Sequence, residues 1–357
     1  MLEKKDFDFL ERLLITPSPT GYESAGQKIW MDEVRGYSDE IITDDYGSAA
    51  AVINVDKDAI SVLFEAHCDE IAMVVQHIDD QGFVWVQRIG GSDPTIARAR
   101  RVMIHTSNGV VAGIIGHTAI HIQDKDQNKQ FTWKDLFIDI GVDNRDEALD
   151  LIQIGDPITY AYDFDYINEE LISGRAMDNR IGGFIIAKVI ERLAERRLEL
   201  KVNVIALNSV QEEIGGFGAR MMSYRLMPNV AVVTDVTHAT DTPGINQREH
   251  GKVLLGGGPA ITHGSASHRV VVDKLIDVAS KQDITLQHEA SSVRTGTDTD
   301  SIYHTQKGIP SALISVPLRY MHTPVETISL TDVRKIISLM VEFALSLKPK
   351  DSFNVLK

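Results

Sequence analysis

The stretch NSVQEEIGGFGA, residues 208–219, places two adjacent glutamates between an apolar strand and a glycine-rich turn. The run before it, KVNVIALNSV (201–210), has the composition of a strand that is buried on both faces. A strand that leads into a glycine turn does not need Glu212 or Glu213 for its geometry, and neighbouring like charges repel. The pair therefore indicates a nearby positive centre at the end of a strand in an α/β sheet.

Helical and strand patterns alternate on both sides of this stretch. Helical periodicity covers about residues 5–15 and 24–35, and in 178–197 an isoleucine, valine or leucine recurs every four residues on one face. Apolar strand-like runs follow at 49–55, 60–75, 229–236 and 311–317, and a last helix closes the chain. The alternation predicts an α/β fold, with a mixed sheet that helices cover on both faces.

Residues 73–165 have a different sequence pattern from the rest of the chain. They contain short β-branched runs such as FVWVQRI, RRVMIHT and DPITYA, separated by the turn sequences DDQG, SNG and DKDQNK. We expect this segment to be a small β-rich domain inserted into a discontinuous catalytic domain formed by residues 1–72 and 166–357.

The composition excludes several classes of partner. The chain has 357 residues and a net charge of −15, from 36 basic and 51 acidic side chains. This charge repels phosphate backbones and anionic membrane surfaces, so neither nucleic acid nor membrane is expected as a partner. One cysteine, Cys68, permits no internal disulfide. Together with an N-terminus that lacks a signal-peptide pattern, it predicts a cytoplasmic protein.

Ligand-type side chains follow five apolar segments at the points where strands are expected to end. They are His67 with Asp69, Asp178, Glu212 with Glu213, Asp235, and His322. So many carboxylates in one dry cleft would repel each other unless cations neutralise them. Imidazole and carboxylate ligands without thiolates suit catalytic zinc, with cobalt or manganese as alternatives. Their number is enough for two divalent ions that share a carboxylate.

The adjacent glutamates then take different roles. Side chains of neighbouring residues at a strand end diverge, so both cannot reach one ion equivalently. One glutamate is expected to bind metal, while the other takes the proton from the attacking water.

Five motifs in order closely resemble the tetrahedral-assembly, or TET-type, dinuclear metallo-aminopeptidases, a family that includes glutamyl and deblocking aminopeptidases. They are HCDEIAM (67–73), GRAMDNRIGG (174–183), QEEIGGFGA (211–219), VTDVTHATDTPG (233–244) and RYMHTPVET (319–327). The resemblance covers essentially the whole chain. It implies a zinc-peptidase-like α/β fold with an inserted PDZ-like β domain that mediates dimer contacts, the dimers building a tetrahedral dodecamer.

The resemblance also implies a role for each site residue. One metal would be held by His67, Asp178 and Asp235, and the second by Asp178, Glu213 and His322, so that Asp178 bridges. Two further residues would be catalytic: Glu212 as general base and Asp69 as the partner that orients His67. One departure affects the pocket, because the family's GGTDA stretch is replaced here by TGTDTDS (295–301).

The expected function is removal of N-terminal residues from short peptides by a metal-bridging hydroxide. Two other hydrolytic functions stay open at this point: metal-dependent deacylation of amino-acid derivatives, and glycoside hydrolysis, because relatives of this family carry names such as endoglucanase. A catalytically silent assembly protein would lack ligands, and here all are present. Nothing in the sequence selects the preferred N-terminal side chain.

Overall fold

A computed structural model describes residues 2–122, 131–162 and 164–356. The turn expected at DKDQNK, residues 124–129, lies outside the described residues. The α-helices are α1 (Lys4–Ile15), α2 (Ser24–Val34), α3 (Pro94–Ala97), α4 (Arg145–Leu151), α5 (Met177–Glu195), α6 (Phe217–Leu226), α7 (Gln247–His250), α8 (Arg269–Lys281), α9 (Asp298–Ile302) and α10 (Leu330–Ser346). Short 3₁₀ helices occur at Arg35–Tyr37, Ile120–Ile122, Trp133–Asp135 and Arg197–Glu199.

The strands belong to two sheets, and they are numbered in chain order. They are β1 (Glu40–Thr43), β2 (Ala49–Ile53), β3 (Ser61–His67), β4 (Ala72–Ile78), β5 (Val84–Ile89), β6 (Arg101–Thr106), β7 (Gly109–Ile115), β8 (Phe137–Asp139), β9 (Pro157–Tyr160), β10 (Phe164–Tyr166), β11 (Leu171–Gly174), β12 (Asn203–Ser209), β13 (Val230–His238), β14 (Ala260–Gly264), β15 (Gln287–Ser291), β16 (Ser311–Arg319) and β17 (Glu326–Ser329).

The large sheet has the order β1-β2-β12-β3-β13-β16-β17-β11-β10, and β14 joins β16 to β15 at one side. Its central strands β12, β3, β13 and β16 are parallel, whereas the flanking pairs of the main order are antiparallel. These central strands are almost entirely buried, as expected for a sheet covered on both faces. The predicted mixed α/β fold is confirmed.

Helix α5 is the centre of the larger hydrophobic core. Its residues Ile181, Ile185, Val189 and Leu193, which recur every four positions, are fully buried. They belong to one cluster with apolar residues of α1, α2, α8 and α10, while α6 and α9 contribute to a separate cluster on the sheet. The two clusters place helices on both faces of the sheet.

The smaller sheet closes into a barrel of strand order β4-β5-β8-β7-β6-β9. It has its own apolar core, which includes Met73, Val84, Ile104 and Ile158. The strand-like run at 60–75 divides at residues 68–71 into β3 of the large sheet and β4 of the barrel, and the strand end expected at His67 is where β3 stops. The limits 73–165 for the inserted domain remain a prediction, although the barrel strands run from Ala72 to Tyr160.

The parallel strands bring the predicted functional residues to one edge of the large sheet. Ser209, the last residue of β12, pairs with His67, the last residue of β3. Asp235 lies further along the neighbouring parallel strand β13. Because parallel strands end at the same edge, the loops that follow them converge. Within the described ranges, no helix is long and apolar enough to cross a membrane.

Candidate active site

A cavity of about 590 Å³ opens at this edge of the large sheet. Its lining includes His67, Asp178, Glu212, Glu213, Asp235 and His322. The structure thus brings together, around one space, six of the seven side chains singled out from the sequence. The seventh, Asp69, is fully buried and lies behind His67, outside the cavity lining.

The side chains form two groups that have the dimensions of metal sites. His67, Asp178 and Asp235 make up one group, and Asp178, Glu213 and His322 the other. Within each group, one potential ligand atom per residue lies within 4.8 Å of the others. Asp178 belongs to both groups, so its carboxylate is placed to bridge two cations.

Each oxygen of the Asp178 carboxylate faces a different ligand group. Its Oδ1 is 3.2 Å from Nε2 of His67, and its Oδ2 is 3.2 Å from Nε2 of His322. On the first side, Oδ1 of Asp235 is 3.7 Å from the same His67 nitrogen. On the second side, Oε1 of Glu213 is 3.7 Å from Nε2 of His322.

Asp178 and His322 are held in place by a residue that the sequence interpretation missed. Glu326, which is 2% exposed, accepts the backbone N–H of Asp178 at 3.0 Å and that of His322 at 2.8 Å. His322 has a φ of 60°, in the left-handed region, and Ala176, just before the Asp178 segment, has a φ of 59°. One carboxyl group therefore fixes two chain segments with unusual backbone at the site.

Asp69 contacts more than the imidazole it was expected to orient. Its Oδ1 lies 3.4 Å from Nδ1 of His67, and its own carbonyl oxygen is 3.2 Å from the same nitrogen. Its carboxylate also accepts the backbone N–H of Glu212 at 3.0 Å and that of Glu213 at 3.1 Å. Asp69 thus ties the strand end that carries His67 to the turn that carries both glutamates.

The two adjacent glutamates diverge from this turn. Oε1 of Glu213, in the second ligand group, is buried and accepts no hydrogen bond from the described residues. Oε2 of Glu212 lies 4.0 Å from Nε2 of His67 and belongs to neither group. The turn depends on Gly216, whose φ of 67° and close approach to Ser301 leave no room for a side chain.

Burial and neighbouring charges perturb the acid groups strongly. Burial raises the pKa of Glu212 to about 10 and, with the charge of Asp178, raises the pKa of Glu213 well above its ordinary value. For Asp178 the effect of burial is outweighed by hydrogen bonds from His322 and His67, which lower its pKa. Surrounded only by protein groups, the two glutamates would hold protons. The site therefore contains more carboxylates than its own cationic groups neutralise.

The pKa values of the two imidazoles are raised as well, but the cause is hydrogen bonding to carboxylates rather than burial. Burial lowers the pKa of His67, but hydrogen bonds to Asp178 and Asp235 outweigh burial and raise it well above its usual value. Burial also lowers the pKa of His322, but the hydrogen bond to Asp178 outweighs burial and raises that pKa.

This donor set fits divalent metal ions. The carboxylate excess calls for positive charge, and the oxygen of Glu213 that no protein donor satisfies is placed to receive it. Imidazole nitrogens and carboxylate oxygens are the ligands of catalytic zinc, cobalt and manganese sites.

A second buried network lies beneath the site and was also missed. Oγ of Ser209 donates to Oε1 of Glu65 at 2.7 Å and lies 2.8 Å from Oδ2 of Asp298. Burial raises the pKa of Asp298 to about 6 and that of Glu65 well above its ordinary value. A glutamate inside the otherwise apolar run ISVLFEA was the available sequence signal.

Comparison with known proteins identifies the family. The family model described as M42 glutamyl aminopeptidase matches residues 47–339. The chain belongs to the M42 family. It is therefore a peptidase, a hydrolase of peptide bonds, as the sequence interpretation predicted. M42 peptidases are metal-dependent, which agrees with the two ligand groups found here.

Individual relatives agree over nearly the full length of this M42 chain. Lysyl aminopeptidase from Pyrococcus furiosus is 31% identical over 352 residues, which cover 97% of this chain and 99% of the relative. The crystal structure of a TET aminopeptidase from the archaeon Thaumarchaeota archaeon SCGC AB-539-E09 has a TM-score of 0.91 at 30% identity, covering 96% of this chain and 97% of the other. The Pyrococcus horikoshii TET1 peptidase can assemble into a tetrahedron or a large octahedral shell. Its TM-score is 0.85 at 28% identity, covering 96% of this chain and 100% of the other.

Proposed function

We propose that this M42 peptidase is a dinuclear metal-dependent aminopeptidase that removes N-terminal residues from short peptides. The observation that carries the proposal is the position of Asp178, whose two carboxylate oxygens each lie 3.2 Å from an imidazole nitrogen of a different ligand group. The aminopeptidase names of the full-length relatives support the exopeptidase assignment.

In this proposal the two ligand groups each hold one divalent ion, zinc first and cobalt or manganese as alternatives. His67, Asp178 and Asp235 would hold one ion, and Asp178, Glu213 and His322 the other. When bound, the ions would polarise the scissile carbonyl and lower the pKa of the attacking water.

Glu212 is our candidate for the general base. It lines the cavity beside the first ligand group but is not part of either group, so its carboxylate is free to exchange protons. Burial raises its pKa to about 10, and nearby cationic charge would lower that pKa towards neutrality. Glu212 would take a proton from the attacking water and later deliver it to the leaving amine.

Asp69 would act as a positioning residue. Its contacts with His67 and with the backbone N–H groups of Glu212 and Glu213 fix the base relative to the ligands. In peptide hydrolysis, this placement keeps the proton acceptor within reach of the attacking water.

Two other reaction classes use parts of this geometry. Deacylation of an amino-acid derivative would need the same residues, and a substrate panel separates it from peptide cleavage. Glycoside hydrolysis needs a pair of carboxylic acids across the sugar bond and gives no role to His67, His322 or the shared Asp178. The histidine-rich cavity therefore favours peptide hydrolysis.

We further propose that the chain forms dimers through the barrel domain and that the dimers build a tetrahedral dodecamer. Support comes from the assembly of the Pyrococcus horikoshii relative into closed shells. The single cysteine, Cys68, is buried and unpaired, and it supports our placement of the enzyme in the reducing cytoplasm.

The test of the proposed mechanism is the variant Glu212→Gln. We expect it to bind both metal ions and to lose about 10²- to 10⁴-fold in kcat on aminoacyl-chromophore substrates, because the proton acceptor is gone. Glu199→Gln is the control, since Glu199 is a surface residue paired with Arg196. Near wild-type turnover by Glu212→Gln, with metal content verified, would rule out this base.

A further inference from the structure

A smaller cavity of about 410 Å³ borders the active-site cavity. We call it the side cavity; Thr262, Glu289 and Ser315 are among its lining residues. The two cavities have Val236, Thr237, Thr295 and Thr297 in common. A ligand bound at the metal-ligand groups can therefore extend a side chain into the side cavity.

Strand pairing fixes how close the side cavity is to the ligand groups. Ser315 on β16 is the register partner of Asp235 on β13, which is a member of the first ligand group. Thr237 follows Asp235 by two positions on the same strand face, about 6.6 Å further along. The side cavity thus begins one strand spacing from the first ligand group.

The side cavity has a carboxylate without a cationic partner. Glu289 accepts the hydroxyl of Thr262 on Oε1 at 2.6 Å and that of Thr237 on Oε2 at 2.7 Å. Both donors are neutral, and among the described residues no lysine or arginine forms an ion pair with Glu289. The two hydroxyls fix the carboxylate in place and leave its charge uncompensated.

The remaining lining residues reinforce this negative character. Glu249 is a second acidic residue of the lining, which contains no lysine or arginine. Arg294 lines the active-site cavity rather than the side cavity, and it is solvent-exposed. The lining also includes the imidazole of His250, so a basic side chain entering the side cavity would meet two carboxylates, several hydroxyl groups and one imidazole.

An independent observation points to a ligand at the same place. Ser315, which is 0% exposed, lines the side cavity, and its Oγ has no hydrogen-bond partner in the described parts of the chain. Buried hydroxyl groups are normally satisfied. An ammonium group carries three N–H donors, so it can be shared between Oγ of Ser315 and the carboxylate of Glu289.

We propose that the side cavity binds the side chain of the substrate's N-terminal residue and selects a basic one, lysine above all. The inference rests on the proposed aminopeptidase function for the location of the substrate's amino terminus. The flexible four-carbon stem of lysine spans the distance along β13 to Thr237, and its ammonium then reaches the carboxylate of Glu289. Charge-assisted hydrogen bonds supply the selectivity over apolar side chains.

The test compares two ligands that differ in the ammonium group. For calorimetry every protein, wild type included, also carries Glu212→Gln, because an active aminopeptidase would hydrolyse amino-acid amides. Binding of L-lysinamide and of L-norleucinamide is then measured on the metal-loaded proteins. The variants are Glu289→Gln, which retains hydrogen bonds to both threonines, Ser315→Ala, and the control Glu199→Gln, which changes the net charge by one away from both cavities. Hydrolysis of lysyl, leucyl and glutamyl chromophores is measured in parallel.

We expect wild type and Glu199→Gln to bind lysinamide about tenfold to a hundredfold more tightly than norleucinamide. Glu289→Gln should abolish this preference while leaving norleucinamide binding unchanged, and Ser315→Ala should reduce it. Equal binding of the two amides by wild type, a preference that survives in Glu289→Gln, or preferred cleavage of the glutamyl substrate would each overturn the inference.

The two proposals fail in different ways. Hydrolysis of leucyl substrates without any lysine preference would refute the assignment of the side cavity and leave the aminopeptidase function intact. A lysinamide preference that depends on Glu289, without hydrolysis of any aminoacyl substrate, would support the side cavity and refute the aminopeptidase function.

Discussion

Glu326 offers a sharp test of how the site is held together, because one carboxyl group receives the backbone N–H groups of two proposed metal ligands. In Glu326→Gln, the amide oxygen can accept only one of the two hydrogen bonds, at Asp178 or at His322. The other N–H then faces an NH₂ group in a buried environment, which costs about 1–3 kcal/mol. We expect metal affinity to fall about tenfold to a hundredfold, since Asp178 belongs to both ligand groups.

The assay is competition for zinc with a chromophoric chelator, followed by thermal unfolding of the metal-loaded and metal-free forms. Glu170→Gln is the matched control, because Glu170 also accepts two hydrogen bonds, from Thr331 and Arg334, but is half exposed on the surface. We expect the metal-loaded form of Glu326→Gln to lose more stability than its metal-free form. Wild-type zinc affinity in this variant would refute the view that Glu326 positions the ligands.

Two further predictions concern stability. Removing metal with a chelator should lower the unfolding midpoint, and restoring zinc should recover it. A ligand present at 100 times its dissociation constant stabilises a native state by about 2.7 kcal/mol. An unchanged midpoint in protein shown to be metal-free would contradict the proposed site. Glu70→Ala should destabilise the fold by about 3–5 kcal/mol, since it leaves the buried guanidinium groups of Arg175 and Arg180 without their carboxylate. Denaturant unfolding checks this value, and a loss below about 1 kcal/mol would show that the ion pairs are not what holds this region.

The sequence was sufficient for the features that depend on local pattern. The four-residue recurrence of Ile181, Ile185, Val189 and Leu193 predicted the buried face of α5, because helical periodicity is set by the backbone itself. Ligand-type residues at strand ends predicted a common site, since parallel strands share an edge. These inferences required no knowledge of distant contacts.

Features that depend on contacts between distant segments were not predicted. Glu326 is four residues beyond His322 in sequence but acts on Asp178, 148 residues away. The run at 60–75 has polar residues at its middle that indicate a strand end at His67, but only the closure of the barrel shows that its two halves belong to different sheets. Glu289 likewise had no signal, because a glutamate in a short polar strand is usually a solvated surface residue.

One loop of the barrel reaches the catalytic centre. Gly91, which follows β5, lines the main cavity, and a Cβ atom built there would lie 3.4 Å from the imidazole ring of His322. The neighbouring Gly90 leaves similarly little space beside Glu213. The barrel domain thus contributes part of the wall of the active-site cavity. Excising it, or tilting it through contacts elsewhere on its surface, would alter turnover even with every ligand left in place.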